Sequence, residues 1–265
     1  MTAFLVDMDG VLYHGDRLLP GALEFHRHVA VGSHLFITNN PILPPEEVAA
    51  KLRHLEFPGV EPEQILTSAQ ATAEWLVHTK PGFRYFAVGA DGLQQALAKV
   101  GRVDCVNADF VVVGEGAGLD YDTLTTGINL ILSQGARLVA TNPDTTVDAV
   151  RDGQRVVLPG GGALVASFEA ATARRAVIIG KPQPLLYRMA MDRLGVTAVD
   201  CIMVGDRPDT DIEGAAALGI RTALVRTGHF TPGEGWPDGI ARPDWDCDSL
   251  SELAEALCRD GVVVK

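Results

Sequence analysis

The sequence predicts an α/β protein with a doubly wound, mostly parallel sheet covered by helices on both faces. Three observations predict it. Short apolar runs alternate with helix-patterned segments along nearly the whole chain, the βαβα rhythm of parallel strands joined by helical crossovers. Apolar residues make up 47% and charged residues 21% of the 265, which suits an ordinary globular chain and not a disordered one. No low-complexity segment or solenoid repeat competes with this reading. The length allows one large α/β domain or two smaller ones.

The elements follow in order. AFLVDM reads as a buried strand, and GALEFHRHVA after Pro20 as a helix. HLFIT is the second strand, ended by Asn39, Asn40 and Pro41. PPEEVAAKLRHLE is a helix with proline at its front and Glu46 and Glu47 in its first turn, where the helix dipole favours acids. ILTS is a short strand and AQATAEWLVHT the next helix. FRYFAV, FVVVG and RLVAT then read as strands, interleaved with the helical patterns GLQQALAKV, YDTLTTGINLILSQG and GALVASFEAAT. The rhythm resumes with the strand AVIIG, a helix from Pro182 to Leu194, the strand CIMVG, a helix near Ile212–Leu218 and the strand RTALV. An amphipathic helix at SLSELAEALC closes the chain.

Charge and cysteines narrow the function classes. A net charge of −12 without a basic tract argues against a polymeric nucleic-acid ligand, since phosphate backbones are bound by clustered Lys and Arg. An acidic protein that handles an anionic substrate needs local compensation from a divalent cation, a lysine or helix-start N–H groups. No apolar run approaches the roughly 18–20 residues of a membrane span, and MTAFLVDMDG carries no secretory pattern. Cys105, Cys201, Cys247 and Cys258 form no CxxC pair and read as small buried apolar residues in a reducing, cytoplasmic compartment.

Chemistry concentrates at strand ends. In DMDGVLY, Asp7 and Asp9 lie two apart in extended chain and can present both carboxylates to one site. Such a pair repels by roughly 4 kcal/mol at an effective dielectric of 20, so a cation beside it makes a metal site and a raised pKa makes a general acid. Taken alone, the pair is equally compatible with a solvated turn. In GDRPDTD, Asp206 ends the strand CIMVG, where open α/β sheets place ligands. Asp206 and Asp211 read as ligands of a hard cation and Asp209 as a helix cap. Thr38, at the end of HLFIT, suits phosphate through its hydroxyl and the N–H groups that follow. Lys181, after AVIIG, is a point charge at a strand end. Singly these are more often structural. Together they deliver acids, a hydroxyl and a lysine to one edge.

With its motifs in the order DMDGVLY, ITNN, GKP and GDRPDTD, the sequence resembles the haloacid dehalogenase superfamily over almost the whole chain. VLYHGDRLLPGA, TNNP, TNPD at 141–144 and LVRTG at 224–228 bring it near the 4-nitrophenyl phosphatase-like, nucleotide and pyridoxal phosphate phosphatases. The resemblance implies a core of residues 1–79 and 179–265 with an inserted α/β cap, residues 80–178, of the type IIA branch. It implies a Mg²⁺-dependent phosphatase of small phosphate monoesters. Asp7 is then the nucleophile that forms an aspartyl-phosphate, and Asp9 the acid and later the base. Thr38 and Asn39 bind the phosphoryl group, and Lys181 stabilises nucleophile and phosphate. Asp7, the Asp9 backbone carbonyl and Asp206 hold Mg²⁺, with Asp211 acting directly or through water. A carboxyl at Asp9 favours phosphate esters, because a halide leaves without a proton. Pro41 stands where the family often has serine. A homodimer through the cap is a further expectation, and a non-catalytic metal- or ligand-binding relative is the alternative function.

Within the cap, Asn142 and Asp144 of TNPD are candidate substrate contacts, against ordinary turn chemistry. Gly160–Gly162 before a helix is a weak phosphate signal without a Walker-type lysine. Trp75, Trp236 and Trp245 read as packing residues.

Overall fold

The computed structural model describes residues 2–151 and 154–262. Its strands are β1 (Ala3–Val6), β2 (Tyr13–His14), β3 (Arg17–Leu18), β4 (His34–Thr38), β5 (Ile65–Thr67), β6 (Arg84–Val88), β7 (Arg102–Val103) and β8 (Phe110–Val113). They continue with β9 (Arg137–Ala140), β10 (Thr146–Arg151), β11 (Gln154–Pro159), β12 (Val177–Ile178), β13 (Cys201–Gly205), β14 (Arg221–Val225) and β15 (Trp245–Cys247). Two compact units divide the chain: residues 1–38, 48–66 and 181–265 form one, and residues 39–47 and 67–180 the other. The helix Ser68–Thr79, placed with the core in the sequence reading, groups with the second unit.

The first unit is a six-stranded sheet in the order β15-β14-β13-β1-β4-β5. β1 pairs in parallel with β13 on one side and β4 on the other, and β13, β14 and β15 continue in parallel. Every residue of β1, β4 and β13 is buried, as expected of parallel strands covered on both faces. The chain passes from β1 to β4 on one flank and returns to β13 on the other. The carboxyl end of β1 is therefore a topological switch point, where such sheets leave a crevice. Helices supply the cover by ordinary amphipathic spacing. Ala22–Val29 buries Ala22, Phe25, His26 and Val29, and Leu250–Arg259 buries Leu250, Leu253, Ala256 and Leu257. Each large apolar side chain so buried contributes about 1.5–3 kcal/mol.

The second unit has a five-stranded parallel sheet, β12-β9-β8-β6-β7, and an antiparallel hairpin of β10 with β11. Val111 and Val113 of β8 pack with Leu130, Ile131, Val165 and Phe168 from two helices, Tyr121–Gln134 and Gly161–Thr172. Gly127 lies inside the first of these helices because a Cβ there would run into the Phe168 ring. Close packing offsets the roughly 0.5–1 kcal/mol that glycine costs a helix.

The structure departs from the sequence reading in several places. The hairpin β10–β11 and the edge strand β15 were not expected. AVIIG forms a strand over Val177–Ile178 only, and β12 pairs with β9 of the second unit instead of joining the core sheet. An apolar run announces a strand, not the sheet it enters. The helix expected near Ile212–Leu218 starts earlier, as a single π turn over Pro208–Ile212 that leads into Glu213–Ala216. Cys201 and Cys247 are buried as expected, whereas Cys105 and Cys258 are exposed. Trp75 meets Phe110 edge-on, Trp236 meets Phe230, and the Trp245 indole N–H donates to Asp260, so all three pack or bond locally.

Candidate active site

Three adjacent strands of the first unit place their carboxyl ends together. Asp7 follows β1, Thr38 ends β4 and Asp206 follows β13. All three side chains are buried. Asp211 arrives from the π turn, in which the Ile212 N–H reaches the Arg207 carbonyl five residues back. Widened turns of this kind recur at functional sites. Here the turn brings Asp211 Oδ2 within 3.1 Å of the Arg207 N–H. Gly205 is needed beneath it, since a Cβ there would overlap the Asp211 carboxylate.

Lys181 holds these acids together. Its Nζ lies 3.0 Å from Asp7 Oδ1 and 2.7 Å from Asp211 Oδ1, with the lysine side chain only 2% exposed. Contrary to the sequence reading, the lysine does not end a strand of this sheet. It is the first residue of the first unit after the chain leaves the second. Asp209, expected as a cap, instead pairs with Arg207 at 2.7 Å on the surface.

The balance of charge invites a cation. Carboxylate oxygens of Asp7, Asp206 and Asp211 all lie within 4.8 Å of one another. At that spacing each ionised pair repels by about 3–4 kcal/mol at an effective dielectric of 20. One buried ammonium against three buried carboxylates leaves a formal deficit of two positive charges. Burial raises the Asp7 carboxyl to about 7, opposed by Lys181 and reinforced by Asp211. Burial, then Asp211 and Asp7, push Asp206 well above the usual carboxylate range. Burial works against the Lys181 ammonium, but Asp211 and Asp7 outweigh it and lift its pKa. Asp206 Oδ1 is buried with no hydrogen-bond partner among the described residues. An orphaned carboxylate oxygen beside two more carboxylates fits a hard divalent cation, which takes oxygen ligands.

That charge balance carries a pH dependence. Asp7 titrates near 3.8 when unfolded and near 7 when folded without a cation. Its contribution to cation-free stability is therefore full below about 3.8 and lost as pH rises through about 7. Cation binding needs the ionised form. The rise in Tm on adding Mg²⁺ to EDTA-treated protein is expected to be small at pH 5.5 and larger at pH 8. An equal rise at both would contradict this account.

Asp9 differs from the buried acids. Its side chain is open to solvent, although dense protein around it raises its carboxyl, opposed by Lys51 and by the Tyr13 hydroxyl. Water access tempers that shift. Tyr13 Oη donates to Asp9 Oδ2 at 3.4 Å, and the Lys51 ammonium sits 4.0 Å over the Tyr13 ring. Neither residue was singled out from sequence, because nothing in a single chain links Lys51 to Tyr13. Gly10, at φ +81°, makes the sharp exit from Asp9 that an L side chain rarely adopts.

Asn39 belongs to the second unit, where three side chains grip it. Ser68 Oγ and Asn142 Nδ2 donate to its carbonyl at 2.5 and 2.8 Å, and its own Nδ2 donates to Asp144 Oδ2 at 3.0 Å. Asn142 is fully buried. It also donates to Glu115 at 2.7 Å and accepts the Asp144 N–H at 3.1 Å. Its amide is thus spent inside the unit. Gly160, Gly161 and Gly162 pack tightly against Asn142, Pro143 and Asp144, which leaves no room for a Cβ. The TNPD turn and the glycine run form one structural joint.

A parallel sheet with a lysine-bridged carboxylate cluster at its switch point suits cation-assisted chemistry on an anionic group. Sequence comparison agrees. The haloacid dehalogenase-like hydrolase family matches residues 4–102, and a HAD-hydrolase-like family matches residues 178–253. A 5′-nucleotidase, YutF, of Bacillus subtilis is 35% identical over 252 residues, 94% of this chain and 96% of the relative. The structure of a 4-nitrophenylphosphatase from Thermotoga maritima superposes with a TM-score of 0.87 at 33% identity, over 97% of each chain. That of a glycerol phosphate phosphatase from Mycobacterium tuberculosis, in complex with calcium, gives 0.84 at 33% identity, over 95% of this chain and 74% of the other. The chain belongs to the haloacid dehalogenase-like hydrolases.

Proposed function

We propose that the protein is a Mg²⁺-dependent phosphatase that hydrolyses small phosphate monoesters through an aspartyl-phosphate on Asp7. The observation that carries this reading is the buried Asp7–Lys181–Asp211 chain beside the orphaned Asp206 Oδ1, with the solvent-open Asp9 two residues from Asp7. The 5′-nucleotidase and glycerol phosphate phosphatase relatives support the substrate class by their names.

Each side chain then has a task. Lys181, held to Asp7 Oδ1, orients the nucleophile and offsets charge on the phosphoryl group; Thr38 and the backbone at Asn39 bind its oxygens. Asp7 attacks phosphorus as the ester oxygen leaves, and Asp9 gives that oxygen its proton. Asp9 next takes a proton from water, whose oxygen attacks phosphorus and frees Asp7 and phosphate. Asp7, the Asp9 carbonyl, Asp206 and Asp211 would hold the cation, which when bound supplies charge neutralisation at the phosphoryl oxygens. The second unit serves as the cap. Its Asn142 and Asp144 steady Asn39.

Purified protein is expected to hydrolyse p-nitrophenyl phosphate with Mg²⁺ and to lose that activity in EDTA. Asp9→Asn should retain the Mg²⁺-induced Tm rise while turnover drops by about 10²–10⁴-fold, the usual size of a general acid–base contribution. Activity that survives metal removal would overturn the reading.

A further inference from the structure

Among the described residues, Asp206 is held by one oxygen only. Oδ2 accepts the His229 N–H at 2.6 Å, while Oδ1 is buried without a partner among the described residues. The segment that supplies this N–H touches the site twice more. Thr227 Oγ1 donates to the carbonyl of Gly10, the residue after Asp9, at 2.7 Å. Gly228 fits between the two, where a Cβ would strike both the Asp206 carboxylate and Gly10 Cα. Gly228 is not among the glycines with positive φ. Space, not backbone conformation, demands glycine here.

Behind the segment lies a rigid anchor. Arg226 pairs with Asp246 through Nε at 2.7 Å and Nη2 at 2.8 Å, and its Nη1 donates to the carbonyls of Thr231 and Glu234 at 3.1 and 3.0 Å. Its guanidinium lies 4.6 Å from the centre of the Phe230 ring. Phe230 packs in turn on Ile212, Leu224 and Trp236. A bidentate ion pair and a stacked ring fix an arginine far better than one exposed contact does.

We propose that Thr227–Gly228–His229 is a positioning clamp for the cation site. It locks Asp206 through Oδ2 and the Asp9–Gly10 turn through the Gly10 carbonyl, so that Oδ1 remains as the cation's ligand. The clamp rests on the cation-dependent reading above. It adds that metal affinity is set in part by a segment that offers the metal no ligand. Partners that orient metal ligands typically govern 10–100-fold in affinity.

Thermal-shift titration of the full chain with MgCl₂, without substrate, tests it. Thr227→Val keeps the shape and removes the hydroxyl, and should raise the half-saturating Mg²⁺ about tenfold. Thr227→Ser restores the hydroxyl and should return it to within about threefold of wild type. Gly228→Ala should weaken binding further, toward about 100-fold. Urea midpoints of all variants in EDTA serve as the folding control, and Thr227→Val carries the test if Gly228→Ala does not fold. No uptake of Mg²⁺ by the wild type overturns the cation reading and the clamp with it. Uptake by wild type and Thr227→Val at equal affinity overturns the clamp alone.

Discussion

Asp7→Asn is expected to stop turnover of p-nitrophenyl phosphate, by about 10⁴-fold or more, the scale on which enzymes lose rate when a covalent nucleophile is removed. Asparagine keeps the volume of Asp7 and an oxygen to accept from Lys181, now 3.0 Å from Oδ1. It removes the electron-rich carboxylate that attacks phosphorus. The same change should stabilise the cation-free protein near pH 8. Burial of the ionised Asp7 outweighs the Lys181 ammonium beside it, and Asp211 adds repulsion; a neutral amide escapes that cost while Lys181 keeps Asp211 as its partner. Loss of rate with a gain in EDTA-treated Tm marks a residue kept for chemistry at the expense of stability. A variant that retains turnover within tenfold of wild type would remove Asp7 from the mechanism.

Lys181→Met should have the opposite effect on stability. Lys181 is the buried cation between Asp7 and Asp211, both themselves buried. Methionine fills much of the same space but leaves those carboxylates facing each other. Breaking a buried ion pair by removing one partner costs about 3–5 kcal/mol, and in EDTA at pH 8 a loss of that size is expected by urea denaturation. Mg²⁺ should recover part of it by supplying positive charge at the remaining acids. Turnover should not recover with it, since the lysine also orients the nucleophile. A variant as stable as wild type in EDTA would show that the carboxylates are compensated elsewhere.

The residues of the candidate site are visible in the sequence for local reasons. Asp7, Thr38 and Asp206 each close an apolar run, and an apolar run followed by a polar residue is visible in sequence as a strand end. Lys181 was identified by its motif but misplaced, because Val177–Ile178 pairs with β9 and not with the core sheet. In sequence Asn142 and Asp144 are possible substrate contacts, because turn residues at strand ends are often functional. In the structure they bond to Asn39, Glu115 and each other.

The sequence by itself determined the α/β class and the family and marked the candidate acids, since periodicity and motif order are properties of neighbouring residues. Only the tertiary structure decided which acids share a cation-sized space, that Asp206 keeps one oxygen unpartnered among the described residues, and that Thr227, Gly228 and His229 stand behind it. Those facts depend on Gly10 and Thr227 meeting across more than two hundred residues of chain. They depend as well on β1 lying between β13 and β4. Strand order is set by which buried faces pack best against each other, and no local pattern records that.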